Sequence, residues 1–125
     1  MDLAEYRGLA LGGGFILSEV TVSAEPLLDA IGRPAAALTR VTGRKFEIHL
    51  AENLSESELS ISLYHEVLEA ATVAALRPPT AVCELNEAGF ESAARQMHRR
   101  LGIASPSNLN QMLAVFGFPY TTDEA

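Results

Sequence analysis

The chain has 125 residues, 48% of them hydrophobic, which is enough for one domain with a modest core, and no apolar run approaches a membrane span. Sixteen acidic residues against nine basic ones give a formal charge of −7, which disfavours nucleic acid and anionic lipid surfaces as partners. The single cysteine, Cys83, cannot form an intrachain disulfide, and Asp2 and Glu5 stand where a signal peptide would be positive, so we expect one cytoplasmic domain over residues 1–125.

The first half reads as strand and turn and the second as helix, a segregation that predicts an α+β fold rather than alternating βαβ units. Gly12-Gly13-Gly14 is expected to be a flexible break; it lacks the spacing and the Lys-Ser/Thr of a phosphate loop. Phe15 to Val22, rich in β-branched residues, predicts a strand, and a short helix or turn follows from Glu25 to Ile31, closed by Gly32 and Pro34. Ala36 to Val41 and Lys45 to Ala51 flank Thr42-Gly43-Arg44 and predict a hairpin, hence a small antiparallel sheet packed on the helical half. In its second arm Phe46, Ile48 and Leu50 share one face, which leaves Glu47 and His49 toward solvent.

Ser55 and Glu58 have the spacing of a capping box and predict a helix over 58–76, ended by Pro78-Pro79. Leu63, Val67, Leu68, Ala71, Ala74 and Ala75 make its apolar arc, with His65 and Glu69 at the edge. A further helix is expected from Ala81 to Leu101, with Gly102 as its stop. On it Glu84, Glu87, Glu91 and His98 form a polar stripe beside Cys83, Phe90, Ala94, Met97 and Leu101, which makes Cys83 a small core residue. Ser105-Pro106 opens a short packing helix that carries Leu109, Met112, Leu113 and Phe116.

Chemistry concentrates in Tyr64-His65-Glu66-Val67-Leu68-Glu69. Four positions apart on a helix, His65 and Glu69 lie roughly 40° apart in azimuth and about 6 Å apart along the axis, so both reach one cation, with Glu66 beside it. This is the H-E-x-x-H arrangement of two metal ligands and a base, with glutamate as the second ligand. The polar stripe on the following helix offers a third. The plainer reading of the same residues is a surface His/Glu pair facing a solvated acidic stripe.

The run Ile61 to Ala70, followed by Asn86-Glu87-Ala88-Gly89-Phe90-Glu91, resembles the zincin-like metallopeptidases of the gluzincin type. The strand before the helix, and Ser62-Leu63-Tyr64 just ahead of the histidine, are similar to small ImmA/IrrE-type peptidase domains; the similarity covers roughly Phe46 to Leu101. The resemblance implies that helix 58–76 is the active-site helix, that His65 and Glu87 are metal ligands with Glu69 in the place of the second histidine, and that Glu66 is the catalytic base. It further implies that Glu91 orients a ligand and that the strand of Phe46, Ile48 and Leu50 pairs with substrate. Apart from the resemblance, His98, two turns beyond Glu91 on the polar stripe, is a candidate further ligand or oxyanion donor, and Tyr120 is a second oxyanion candidate. Zinc is the expected metal, and the oxygen-rich set brings in manganese or iron as alternatives. Two functions follow: a minimal metal-dependent peptidase-like hydrolase acting on a peptide or protein, or a catalytically inactive domain of the same architecture that binds a protein partner.

Overall fold

The computed structural model describes residues 2–119 and has the expected α+β architecture, with a four-stranded sheet in the N-terminal half and helices in the C-terminal half. Tyr120 lies outside the described residues. The strands are β1 (Leu9–Leu11), β2 (Phe15–Val22), β3 (Ala37–Thr42) and β4 (Lys45–Leu50), in spatial order β1-β2-β4-β3. β3 and β4 form the expected antiparallel hairpin, its two-residue turn carried by Gly43 at φ 61°, but β4 then runs parallel to β2. The sheet is therefore mixed rather than antiparallel. After β2 the chain passes beyond its neighbour's place to the sheet edge and returns as β4, whose Phe46, Ile48 and Leu50 are fully buried and demand the central position.

A shift of register between Leu17 and Glu19 interrupts β2, and the Ser18 hydroxyl there donates to the Phe46 carbonyl at 2.8 Å. The bulge explains why the buried residues of β2, Phe15, Leu17 and Val20, depart from strict alternation. On the open face His49 contacts Thr21 Oγ1 at 3.0 Å and Glu47 Oε1 at 2.7 Å, half-buried rather than free in solvent. The segment Glu25 to Ile31 is not helical; Leu28 bridges Pro34, and the Ala35 N–H donates to Leu27 O. The glycine run is packed, not loose. Gly12 N–H donates to Asn110 Oδ1 at 2.8 Å, and a Cβ on Gly12 would stand 2.9 Å from Pro119 O.

Helix α1 (Glu56–Ala74) begins in the predicted capping box, Ser55 and Glu58 each accepting from the other's N–H at 3.1 Å. It stops two residues before the predicted end because Arg77 precedes Pro78, and the preference of pre-proline residues for extended backbone unwinds the approach. The single helix expected over 81–101 is broken into α2 (Thr80–Cys83) and α3 (Glu87–Leu101). Asn86 causes the break: its backbone is extended and its side chain accepts from the Gly89 N–H at 2.8 Å, capping α3. Because α2 is so short, Val82 supplies its buried contact and Cys83 is exposed, not part of the core. Helix α4 (Pro106–Val115) is capped by Ser105. One cluster of buried side chains joins sheet and helices, with Tyr6, Leu17, Phe46, Leu68 and Met112 among its fully buried members. Among the described residues no helix is long and apolar enough to cross a membrane.

Candidate functional site

Helices α1 and α3 pack side by side in opposite directions, as Glu91 meets His65 while His98 meets Ser60. Thr39 of β3 reaches Glu66, and the hairpin tip at Arg44 shares a groove with Ala75 just past α1, so β3 runs alongside α1 in the same sense. Between the free edge of β3, the exposed flank of α1 and the first turns of α3 lies a cleft of about 660 Å³. Its floor carries His65, Glu66, Glu69, Glu87 and Glu91, and the Asp29–Arg33 loop stands at its margin.

His65 is the pivot. Its ring is 12% exposed, and Nδ1 lies 2.8 Å from Glu91 Oε1, whose other oxygen takes the Arg95 Nε–H at 2.8 Å. Nε2 is the buried side-chain polar atom that has no hydrogen-bond partner among the described residues. Around it stand three carboxylate oxygens, from Glu87 at 3.3 Å, Glu69 at 3.9 Å and Glu66 at 4.0 Å. The nearest is out of line for a hydrogen bond and the other two are too distant, so these are charge contacts. Burial alone would lower the His65 pKa, but the closeness of Glu69 and Glu91, with the charge of Glu66, outweighs it and lifts the imidazole to about 9.

Glu66 is raised to about 7, first by burial; the Thr39 hydroxyl, donating to Oε1 at 2.8 Å, and His65 pull the other way, while Glu69 and Glu87 add to the rise. Glu69 is lowered, first through its contact with His65. Glu87 is raised, first through the closeness of the Glu69 carboxylate. The carboxylates are thus driven apart in acidity within one small volume, an arrangement that separates proton carriers from anions.

Donor atoms of His65, Glu66 and Glu69 lie within 4.8 Å of one another, and Glu87, outside that group, approaches His65 Nε2 at 3.3 Å from α3. The fit to a divalent cation rests on the orphaned Nε2. Its partner nitrogen is fixed by a carboxylate, as metal-bound imidazoles usually are, and the oxygens around it are anionic. One nitrogen among carboxylates suits manganese or iron(II) as well as zinc.

Two expectations fail. His98 does not enter the cleft; its Nδ1 bonds Ser60 Oγ at 2.8 Å, and that oxygen accepts the Ala104 N–H at 2.8 Å, so His98 closes the far end of the helix pair. Phe46, Ile48 and Leu50 cannot pair with substrate, because β4 is hydrogen-bonded on both sides and these side chains are in the core. The strand with a free edge at the cleft is β3. Thr39, which anchors Glu66, was not singled out from sequence; its alternation in the hairpin was visible, but its register against α1 is a tertiary fact. Comparison with family models, with curated proteins and with solved structures finds no match to any of them.

Proposed function

We propose that this chain is a minimal zincin-like, metal-dependent peptidase-like hydrolase in which His65, Glu69 and Glu87 hold the cation and Glu66 is the base. The observation that carries the reading is His65 Nε2, buried, unpartnered and ringed by three carboxylate oxygens. A bound divalent ion would supply Lewis acidity toward a peptide carbonyl and toward water. The chain's own groups account for the rest. Glu91 and Arg95 fix the plane of the imidazole. Thr39 holds one oxygen of Glu66 and leaves the other toward the site, where a carboxylate can take a proton from water. Glu66 takes a proton from the attacking water and delivers it to the leaving amine, as a C–O bond forms at the acyl carbon and the C–N bond breaks.

The free edge of β3 supports an extended peptide as the substrate, held by main-chain pairing. The proposed compartment is the cytoplasm, in keeping with one exposed thiol at Cys83. A second reading, an inactive domain of the same architecture that binds a protein partner, is favoured by Glu69 in the second-histidine position and by the departure of His98 from the cleft. The test combines metal analysis of the protein purified without chelator with peptide cleavage. The hydrolase reading expects one equivalent of metal, lost in Glu87→Gln, and cleavage abolished in Glu66→Gln with metal retained. Metal without cleavage in the unmutated chain selects the binding domain. No metal in either protein, even after zinc or manganese is supplied, removes the hydrolase and leaves the partner-binding domain.

A further inference from the structure

Arg33 is the cationic side chain, besides His65, that lines the cleft among the described residues. Its loop is built to hold it. Asp29 Oδ1 accepts the N–H groups of Ile31 and Arg33 at 3.0 and 2.9 Å, the Asp29 N–H donates to Arg33 O at 2.8 Å, and Asp29 Oδ2 takes the Arg33 Nε–H at 3.1 Å. With Nε committed, the two terminal amino groups of the guanidinium remain without a partner among the described residues, side by side, the geometry that grips a carboxylate through two parallel hydrogen bonds. Elsewhere in the cleft Glu66, Glu69, Glu87 and Glu91 repel an anion.

Arg33 precedes β3 in the chain and so stands at the end of the cleft where that strand begins. A peptide laid antiparallel on the free edge of β3 therefore brings its C-terminal end toward Arg33. Thr39 and Glu66 sit farther along the same edge, a distance of about two to four extended residues once the reach of the arginine is allowed for.

We infer that Arg33 binds the free C-terminal carboxylate of an extended peptide lying antiparallel on β3, so that the substrates are short peptides or chain ends cut a few residues from the C-terminus. The inference rests on the cleft reading above and narrows its substrate class. The test uses acetyl-Ala-Ala-Val-Ala-Ala as free acid and as C-terminal amide, with NMR shifts of the Leu38 to Val41 amides as the binding readout and mass spectrometry as the cleavage readout. The free acid is expected to bind about tenfold more tightly than the amide, because one charge-assisted contact is at stake. The preference should vanish in Arg33→Gln and persist in Glu66→Gln, which leaves the peptide uncut. Equal binding of acid and amide overturns the role of Arg33 and leaves the hydrolase standing. An acid preference without metal or cleavage supports Arg33 and overturns the hydrolase. If neither peptide shifts the β3 amides, both readings fall.

Discussion

The two ends of the α1–α3 interface each carry a histidine bonded through Nδ1 at 2.8 Å, and they differ in what the bond completes. At the far end His98 meets Ser60, whose oxygen also accepts the Ala104 N–H, so the serine hydroxyl is fully used within the protein and the imidazole faces no carboxylate cluster among the described residues. At the cleft end Glu91 fixes one nitrogen of His65 and leaves the other buried among carboxylates with no hydrogen bond. A histidine on a helix–helix contact is thus structural or reactive according to its second partner. A buried polar atom left open costs about 1–3 kcal/mol unless something binds it, which is the physical reason to read the cleft end as a site.

The largest effect that separates the two ends is on cation binding. His65→Ala should weaken manganese or zinc binding by more than the roughly 10–100-fold that loss of a supporting residue costs, while His98→Ala leaves it within about twofold. Calorimetric titration of both variants checks this, and equal loss in the two would mean that the helix pair merely needs both imidazoles to pack. In the metal-free chain pH gives the next largest effect. His65 and Glu66, at about 9 and about 7, both lie above their ordinary values of 6.5 and 4.5. Upward shifts contribute stability in full below the ordinary value and lose it as pH climbs through the shifted one, so stability should fall between about pH 6.5 and 9 by on the order of 3 kcal/mol from His65, after an earlier fall between about pH 4.5 and 7 from Glu66. Glu69 is lowered and has the opposite sign, but its window lies on the acid side and does not mask the fall. Urea unfolding in chelator across that range should show the slope, and saturating metal should flatten it by taking the place of the imidazole proton. A flat metal-free profile is incompatible with this account of His65.

A smaller effect tests the support of the ring. Glu91→Gln keeps an acceptor for Nδ1 but removes its charge, and should lower metal affinity about 10–100-fold without unfolding α3. Arg95 reaches the same carboxylate from a more exposed position, and its removal should cost under about 1 kcal/mol. Reversal of that order would place the anchor at Arg95 rather than at Glu91.

What was legible from sequence was local. The capping box at Ser55 and Glu58, the buried arc of α1 and the hairpin turn at Gly43 are decided within a few residues, and they stand where periodicity puts them. The order of the strands was not legible, because β4 is central owing to the company its side chains keep across the sheet, and no pattern inside Lys45 to Leu50 states which strand lies beside it. The polar stripe of α3 was visible as a stripe, but the antiparallel packing that assigns Glu91 to His65 and sends His98 about 10 Å farther along is a property of the pair of helices. Asn86 illustrates a third case. Its type signals an N-cap, yet the helical period running through Cys83 and Phe90 concealed the break, and only the extended backbone at Asn86 shows that α3 starts at Glu87, the first of its carboxylates.

That cap leads to the smallest effect. Asn86→Ala removes the acceptor for the Gly89 N–H and should lower stability by about 1 kcal/mol. Glu87 is the first residue of α3 and takes its position from that turn, whereas Glu91 lies a full turn deeper and is held by His65 and Arg95. The variant should therefore loosen Glu87 alone. Hydrogen exchange at the Gly89 and Phe90 amides should quicken, exchange beyond Glu91 should stay unchanged, and metal affinity should drop only a few-fold. Unaltered affinity with faster exchange would show that Glu87, for all its closeness to Nε2, is dispensable, and would leave His65, Glu66 and Glu69 as the binding set.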